Sequence, residues 1–123
     1  MYKCRDDVLT VASCDLDRNP WWYSSRGPGQ ETGSTKPDVT APTPANGRIV
    51  YGSKVQTLPD GWGTSGACPQ AAGLAALMES MRPGISSAEI RDVIRDTAIG
   101  TGQPASCQGR GIIACRHALD ALA

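Results

Sequence analysis

Gly63-Thr64-Ser65-Gly66-Ala67-Cys68-Pro69-Gln70-Ala71-Ala72-Gly73-Leu74-Ala75-Ala76-Leu77-Met78 opens on glycine and hydroxyl residues and then runs almost unbroken through small apolar ones. Ala67, Ala71, Ala72, Leu74, Ala75, Ala76, Leu77 and Met78 leave no polar face after Gln70. A helix that is apolar all round is expected inside a core. Its first turn carries Ser65, where free backbone N–H groups and the positive end of the helix dipole favour developing negative charge. Pro69 follows four residues later. A proline in a helix interior costs about 3 kcal/mol, but at this place it removes only the bond to the Ser65 carbonyl. A serine at the start of a buried helix is a candidate nucleophile.

Upstream, Pro59-Asp60-Gly61 is a turn signal just ahead of Trp62-Gly63. Arg48-Ile-Val-Tyr51 and Ser53-Lys-Val-Gln-Thr57 flank Gly52 and are expected to pair as a ribbon leading to the serine turn. Val39-Thr40-Ala41, bounded by Pro37 and Pro42, reads as a strand, and so does Val8 to Ser13. The second of these lacks strict alternation, as suits a strand covered on both faces. Between them the chain is loop-like, with Asn19-Pro20 and Gly27-Pro28 as breakers and Gly29 to Thr35 as a polar surface excursion. Trp21, Trp22 and Tyr23 stand in a row: alternate rings pack on the core, or an exposed ring lines a groove.

Downstream, Pro83-Gly84 ends the central helix. Ser86-Ser-Ala-Glu89 is a capping box with Ile85 and Ile90 placed as its hydrophobic staple. Ile90, Val93, Ile94 and Thr97 or Ala98 form one apolar stripe, so the second helix is amphipathic and half exposed. A short strand is expected around Gly109-Arg-Gly-Ile-Ile113, then a last helix with Cys115, Ala118, Leu119 and Leu122 on one side.

The 123 residues fit one small domain by length. Net charge is zero and the twelve basic residues are scattered, which leaves no nucleic-acid footprint. No run approaches the roughly 18 apolar residues of a membrane span, and no charged-then-apolar leader precedes Val8. None of the five cysteines stands in a Cys-x-x-Cys pair. Cys68, on the central helix, reads as a small core hydrophobe. Cys4, Cys14, Cys107 and Cys115 suffice for two bridges if the chain is secreted, with Cys107 and Cys115 close enough to pair locally; buried free thiols are the alternative.

Gly63-Thr64-Ser65-Gly66-Ala67-Cys68-Pro69 with Ala72-Gly73 resembles the serine motif of the subtilisin-like serine proteases, Gly-Thr-Ser-x-Ala-x-Pro followed by Ala-Gly. Ser24-Ser25-Arg26-Gly27-Pro28 resembles the family's Phe-Ser-Ser-x-Gly segment, and Lys36-Pro37-Asp38-Val39-Thr40-Ala41-Pro42 its Lys-Pro-Asp-Val-x-Ala-Pro strand. Gly109-Arg-Gly-Ile-Ile113 is similar to its late Gly-x-Gly segment. There are departures. Thr43 follows Ala-Pro where the family usually has Gly, Gly66 replaces the Met after the serine, and Gln70 replaces the His after the proline. Neither of the last two positions does chemistry in the family. Gly66 lowers helix propensity by about 1 kcal/mol relative to Ala, but lets backbone or substrate approach closely.

The resemblance implies an α/β fold, with a parallel sheet and a buried central helix starting at the nucleophile. It also implies that residues 1–123 are the C-terminal segment of a three-layer catalytic domain, for the chain offers too few strands to cover that helix. By the resemblance Ser65 is the nucleophile of an Asp-His-Ser triad, and the Ser65 N–H, helped by Thr64, is what this segment contributes to the oxyanion hole. The Asp, the His and the oxyanion Asn lie upstream in the family and have no counterpart here. The only histidine, His117, falls where the family has no catalytic residue and reads as a surface or helix-end side chain. A serine without a base is a weak nucleophile, and in subtilisin losing the oxyanion Asn costs about 10²–10³ in turnover, so the chain alone is expected to be inactive. The expected partners are a polypeptide substrate and the N-terminal part of the same domain, in cis or as a nicked chain, with secretion implied by the family. No cofactor is expected in this segment: the resemblance makes calcium possible in the complete domain, on loops mostly upstream, and no carboxylate cluster here has ligand spacing. The alternative is a non-catalytic fragment or pseudo-enzyme acting as a structural or binding module.

Overall fold

Val11–Cys14 (β1) and Val39–Pro42 (β2) lie side by side in parallel, Val11 opposite Val39 and Cys14 opposite Pro42. The computed structural model describes residues 5–29, 33–43, 49–51, 54–56 and 60–123. Cys4, Pro44, Gly52 at the expected ribbon turn and Pro59 lie outside them. Burial explains why neither strand alternates. Ala12, Ser13 and Cys14 of β1 and Val39, Thr40 and Ala41 of β2 are all buried, as in a parallel strand covered on both faces. Ile49–Tyr51 (β3) and Lys54–Gln56 (β4) form a separate antiparallel ribbon, Val50 opposite Val55, where the sequence places one.

The serine stretch is helical from Thr64 to Met81 (α1). It packs on the sheet through Ala67, Ala71, Leu74 and Met78, one stripe at helical spacing. Leu74 and Met78 are almost fully buried, and such side chains each contribute about 1.5–3 kcal/mol by leaving water. The expectation of a helix buried all round fails. Ala72, Gly73, Ala76 and Leu77 are exposed, and Leu77 and Met81 keep 53% and 52% of their surface. The reason is geometric: β1, β2 and the later helices reach only one side of α1, and no described element covers the other.

Ser87–Asp96 (α2) starts as its sequence says. Ser86 Oγ accepts the Glu89 N–H at 3.2 Å, and Ile85 and Ile90 both join the core. The Glu89 carboxylate pairs with Arg82 instead of returning to the cap. Ile94 is buried, with Ile90, Val93 and Ala98 packed beside it. Ala105–Gln108 (α3) is a four-residue turn of helix with no periodic signal. The expected late strand is reduced to bridges: Ile112 pairs in parallel with Thr40 and antiparallel with Ile99. Cys115–Asp120 (α4) buries Ala118 and packs Leu119 and Leu122 on the core, but Cys115 is exposed instead of sharing that side.

The Lys-Pro-Asp run has a physical reason. Lys36 and Asp38 form a buried ion pair at 2.7 Å, their side chains 7% and 4% exposed. The ammonium also donates to the Val8 carbonyl at 2.8 Å, and Asp38 Oδ2 accepts the Thr10 N–H at 2.7 Å. Arg95 of α2 stands 3.7 Å from Asp38 Oδ1, and the Asp38 carbonyl accepts the Arg110 N–H at 2.8 Å. Gly109 follows from this contact, and Gly111 from the close approach of Ile99 on the other side of Arg110. A Cβ on Gly109 would sit 2.1 Å from the Asp38 carbonyl oxygen, and one on Gly111 would sit 2.2 Å from that of Ile99. Breaking a buried pair leaves its partner charged and uncompensated, at about 3–5 kcal/mol. Asp38→Ala is therefore expected to lower the urea midpoint by that equivalent with an unchanged m-value, whereas loss of the exposed Arg116–Asp120 pair by Arg116→Ala should leave it nearly where it was.

Candidate functional site

Ser65 is the second residue of α1 and is exposed. It faces a cleft of about 500 Å³ walled by residues 8–12 at the edge of the sheet, by Ser24 and Ser25, and by Thr64, Cys68 and Pro69 of the helix. Gly63, at φ 66° and ψ −168°, delivers the chain to the helix without a side-chain cap. Among the described residues no backbone carbonyl accepts from the Thr64 or Ser65 N–H, so both donors stand at the positive end of the dipole. The two expected site residues are thus adjacent at the helix N-terminus, on the cleft.

Several side chains hold the turn that precedes Ser65. The Trp62 N–H donates to Thr43 Oγ1 at 2.9 Å, and Thr43 is itself buried at the exit of β2. The Gly66 N–H donates to both the Trp62 and Gly63 carbonyls at 3.1 Å. The Tyr23 hydroxyl donates to the Asp60 carbonyl at 2.7 Å, and burial pushes its phenol pKa up. Gln70 Nε2 donates to the Pro42 carbonyl. On the far wall, Ser24 is buried and its Oγ accepts the Ser13 N–H at 3.0 Å, which ties the Ser24-Ser25 segment to β1.

This packing accounts for Gly66. A Cβ there would lie 2.5 Å from Thr43 Oγ1 and 2.8 Å from Trp62 Cβ. The close approach expected of that glycine is made by the chain's own threonine. The aromatic row alternates: Trp21 and Tyr23 are half-buried and stacked with centroids 5.5 Å apart, while Trp22 is exposed and meets Tyr23 edge-on. None of the three rings lines the serine cleft.

The cleft holds no His, Asp or Glu among its lining residues. His117 is exposed on α4 and is not among them. Among the described residues no group of three or more His, Cys, Asp or Glu side chains is placed to hold a metal. Among the described residues the site therefore presents a hydroxyl and two N–H groups without a backbone acceptor, and no imidazole or carboxylate.

Residues 2–111 match the model of the subtilase family. The chain belongs to the subtilase family. Subtilases are serine proteases of the subtilisin type, and the similar proteins carry such names. A subtilisin-like protease, SBT3.12, of Arabidopsis thaliana is 37% identical over 98 residues, which are 71% of this chain and 12% of that protein. A halolysin-like extracellular serine protease of Natrialba magadii is 34% identical over 106 residues, 86% of this chain and 18% of that one. The chain thus spans under a fifth of the length of either relative. Among solved structures, a protease of Pseudoalteromonas arctica superposes with a TM-score of 0.70 at 26% identity, covering 96% of this chain and 37% of that one. The α/β architecture, a parallel sheet with helices packed on it, is that of the subtilisin-like proteases.

The cysteines of this subtilase differ from their sequence reading. Cys68 is exposed and lines the cleft one helical turn beyond Ser65, rather than filling the core. Cys14 and Cys107 are buried, Cys115 is exposed, and none of these four is bridged, so of the two readings left open by the sequence, bridges or free thiols, these cysteines follow the second. Burial pushes the Cys14 thiol pKa up, against a smaller opposing effect of its hydrogen bond to Thr40. Since the thiolate is the reactive form, brief treatment of the native protein with N-ethylmaleimide should modify Cys68 and Cys115 and spare Cys14 and Cys107. Peptide mass mapping before and after denaturation checks this pattern.

Proposed function

We propose that this chain is the serine-bearing, C-terminal segment of a subtilisin-like endopeptidase domain, with Ser65 as the nucleophile that attacks the peptide carbonyl. The supporting observation is the position of Ser65: exposed, in the first turn of a helix, on a cleft, in a chain of the subtilase family. In that role the Ser65 N–H, with the Thr64 hydroxyl beside it, donates to the oxyanion as negative charge develops on the carbonyl oxygen. A base must take the serine proton, and an Asp must orient that base. On this reading the Asp, the His and the oxyanion Asn come from the N-terminal part of the same domain, joined in cis or held as a nicked chain. The substrate is a polypeptide, and the complete enzyme is secreted, as the halolysin-like protease of Natrialba magadii is an extracellular enzyme.

Without the base the hydroxyl has nothing to deprotonate it at neutral pH, so residues 1–123 alone should not hydrolyse peptides. The test is reaction with a fluorophosphonate probe followed by intact mass measurement. In the assembled peptidase this chain is expected to gain the probe mass, and Ser65→Ala should abolish the gain. The chain by itself should gain nothing. Labelling that survives Ser65→Ala, or maps to another residue, would overturn the assignment of Ser65, and no labelling of this chain in any assembly would leave the non-catalytic reading in its place.

A further inference from the structure

We propose that Thr43 is a positioning residue for Ser65, acting through the Trp62 backbone, with Gln70 as a second support from the helix side. The inference rests on the reading of Ser65 as the nucleophile. A nucleophile at a helix start is aimed by its first turn, and here the usual device is missing, for Gly63 offers no side chain to cap that turn. The large buried anchors of α1, Leu74 and Met78, lie more than two turns further along. Nearer to Ser65 the helix buries only the small Ala67 and Ala71, whose methyl groups form no hydrogen bond to the turn.

Thr43 supplies the missing constraint. Its Oγ1 accepts the Trp62 N–H at 2.9 Å, and the carbonyl of the same Trp62 accepts the Gly66 N–H at 3.1 Å. The two peptides that flank the Trp62 Cα are therefore both held, the first by Thr43 at the exit of β2 and the second by the residue just after Ser65. The serine lies inside that loop of bonds. Thr43 is immobile in turn: it is 1% exposed, and its own N–H donates to the Cys14 carbonyl at 3.0 Å. Gln70 closes the assembly from the other side, its amide donating to the Pro42 carbonyl, one residue before Thr43. The exit of β2 thus meets the serine turn at two successive residues. Gly66 belongs to the same design, because any side chain there would displace the Thr43 hydroxyl. The substitutions that set this chain apart from the family pattern, at 43, 66 and 70, all fall in this one contact.

Misplacing a reacting group by about 1 Å can cost on the order of 10²-fold in rate. Thr43→Val keeps the volume and removes the acceptor, and Thr43→Ser keeps the acceptor. In the assembled peptidase, Thr43→Val is expected to lower kcat for a peptide substrate by about 10- to 100-fold with KM unchanged. Thr43→Ser should recover most of that rate, and Gln70→Met should lose kcat in the same direction. Rates are taken per folded molecule, by circular dichroism, below the melting temperature of every variant. Wild-type kcat in Thr43→Val, an equal loss in Thr43→Ser, or a loss appearing in KM would overturn the proposal. If Thr43→Val does not fold, Gln70→Met decides: an unchanged kcat overturns the proposal, and a loss at constant KM supports it. Ser65→Ala, run alongside, separates the two claims. Turnover surviving in Ser65→Ala removes the nucleophile assignment and the proposal with it. Turnover lost in Ser65→Ala but unchanged in Thr43→Val removes the positioning role alone.

Discussion

The Asp38 carboxylate, held out of water against the Lys36 ammonium, is the contact on which the other elements converge. Its second acceptor site takes the Thr10 N–H ahead of β1, Lys36 reaches past it to the Val8 carbonyl, and Arg95 brings α2 to its far side. Its backbone carbonyl receives the Arg110 N–H and lies against Gly109. A buried pair is not in itself a source of stability, because desolvation offsets most of the Coulomb attraction. What it does here is join four segments far apart in sequence, since each partner must find every one of its hydrogen bonds or remain a buried charge.

β2 carries both ends of this arrangement. Asp38 stands at its entrance and gathers the sheet, α2 and the late glycine segment. Thr43 stands at its exit and meets the turn that leads to Ser65. Between them Val39, Thr40 and Ala41 are buried on both faces, so the strand transmits position from one end to the other without slack. The cleft is the region where this packing stops. Ser65, Ser25, Cys68 and Pro69 are exposed along it, while Ser24 and Ala12 behind them are buried.

Among the described residues, α1 combines an uncovered outer face with a cleft at its start that no His, Asp or Glu lines. Its apolar residues run all round, yet among the described elements β1, β2 and the later helices pack on one side only.

Local patterns were legible in the sequence because local forces fix them. The Ser86 cap, the Ile90–Ile94 stripe, the breaks at Pro83-Gly84 and the start of α1 next to Ser65 all depend on neighbours a few residues away. Three ordered motifs, at Ser24, Lys36 and Gly63, carried the family and with it the fold. Sequence alone did not reveal which side of α1 is covered, because apolar residues all around the helix give no period from which to read a direction. It placed Cys68 in the core for the same reason. Nor did it show why Lys36 and Asp38 are paired, why Gly109 and Gly111 cannot bear a side chain, or why Gly66 goes with Thr43. Each of those depends on backbone brought together from distant parts of the chain, and such approaches exist only once the tertiary structure has formed.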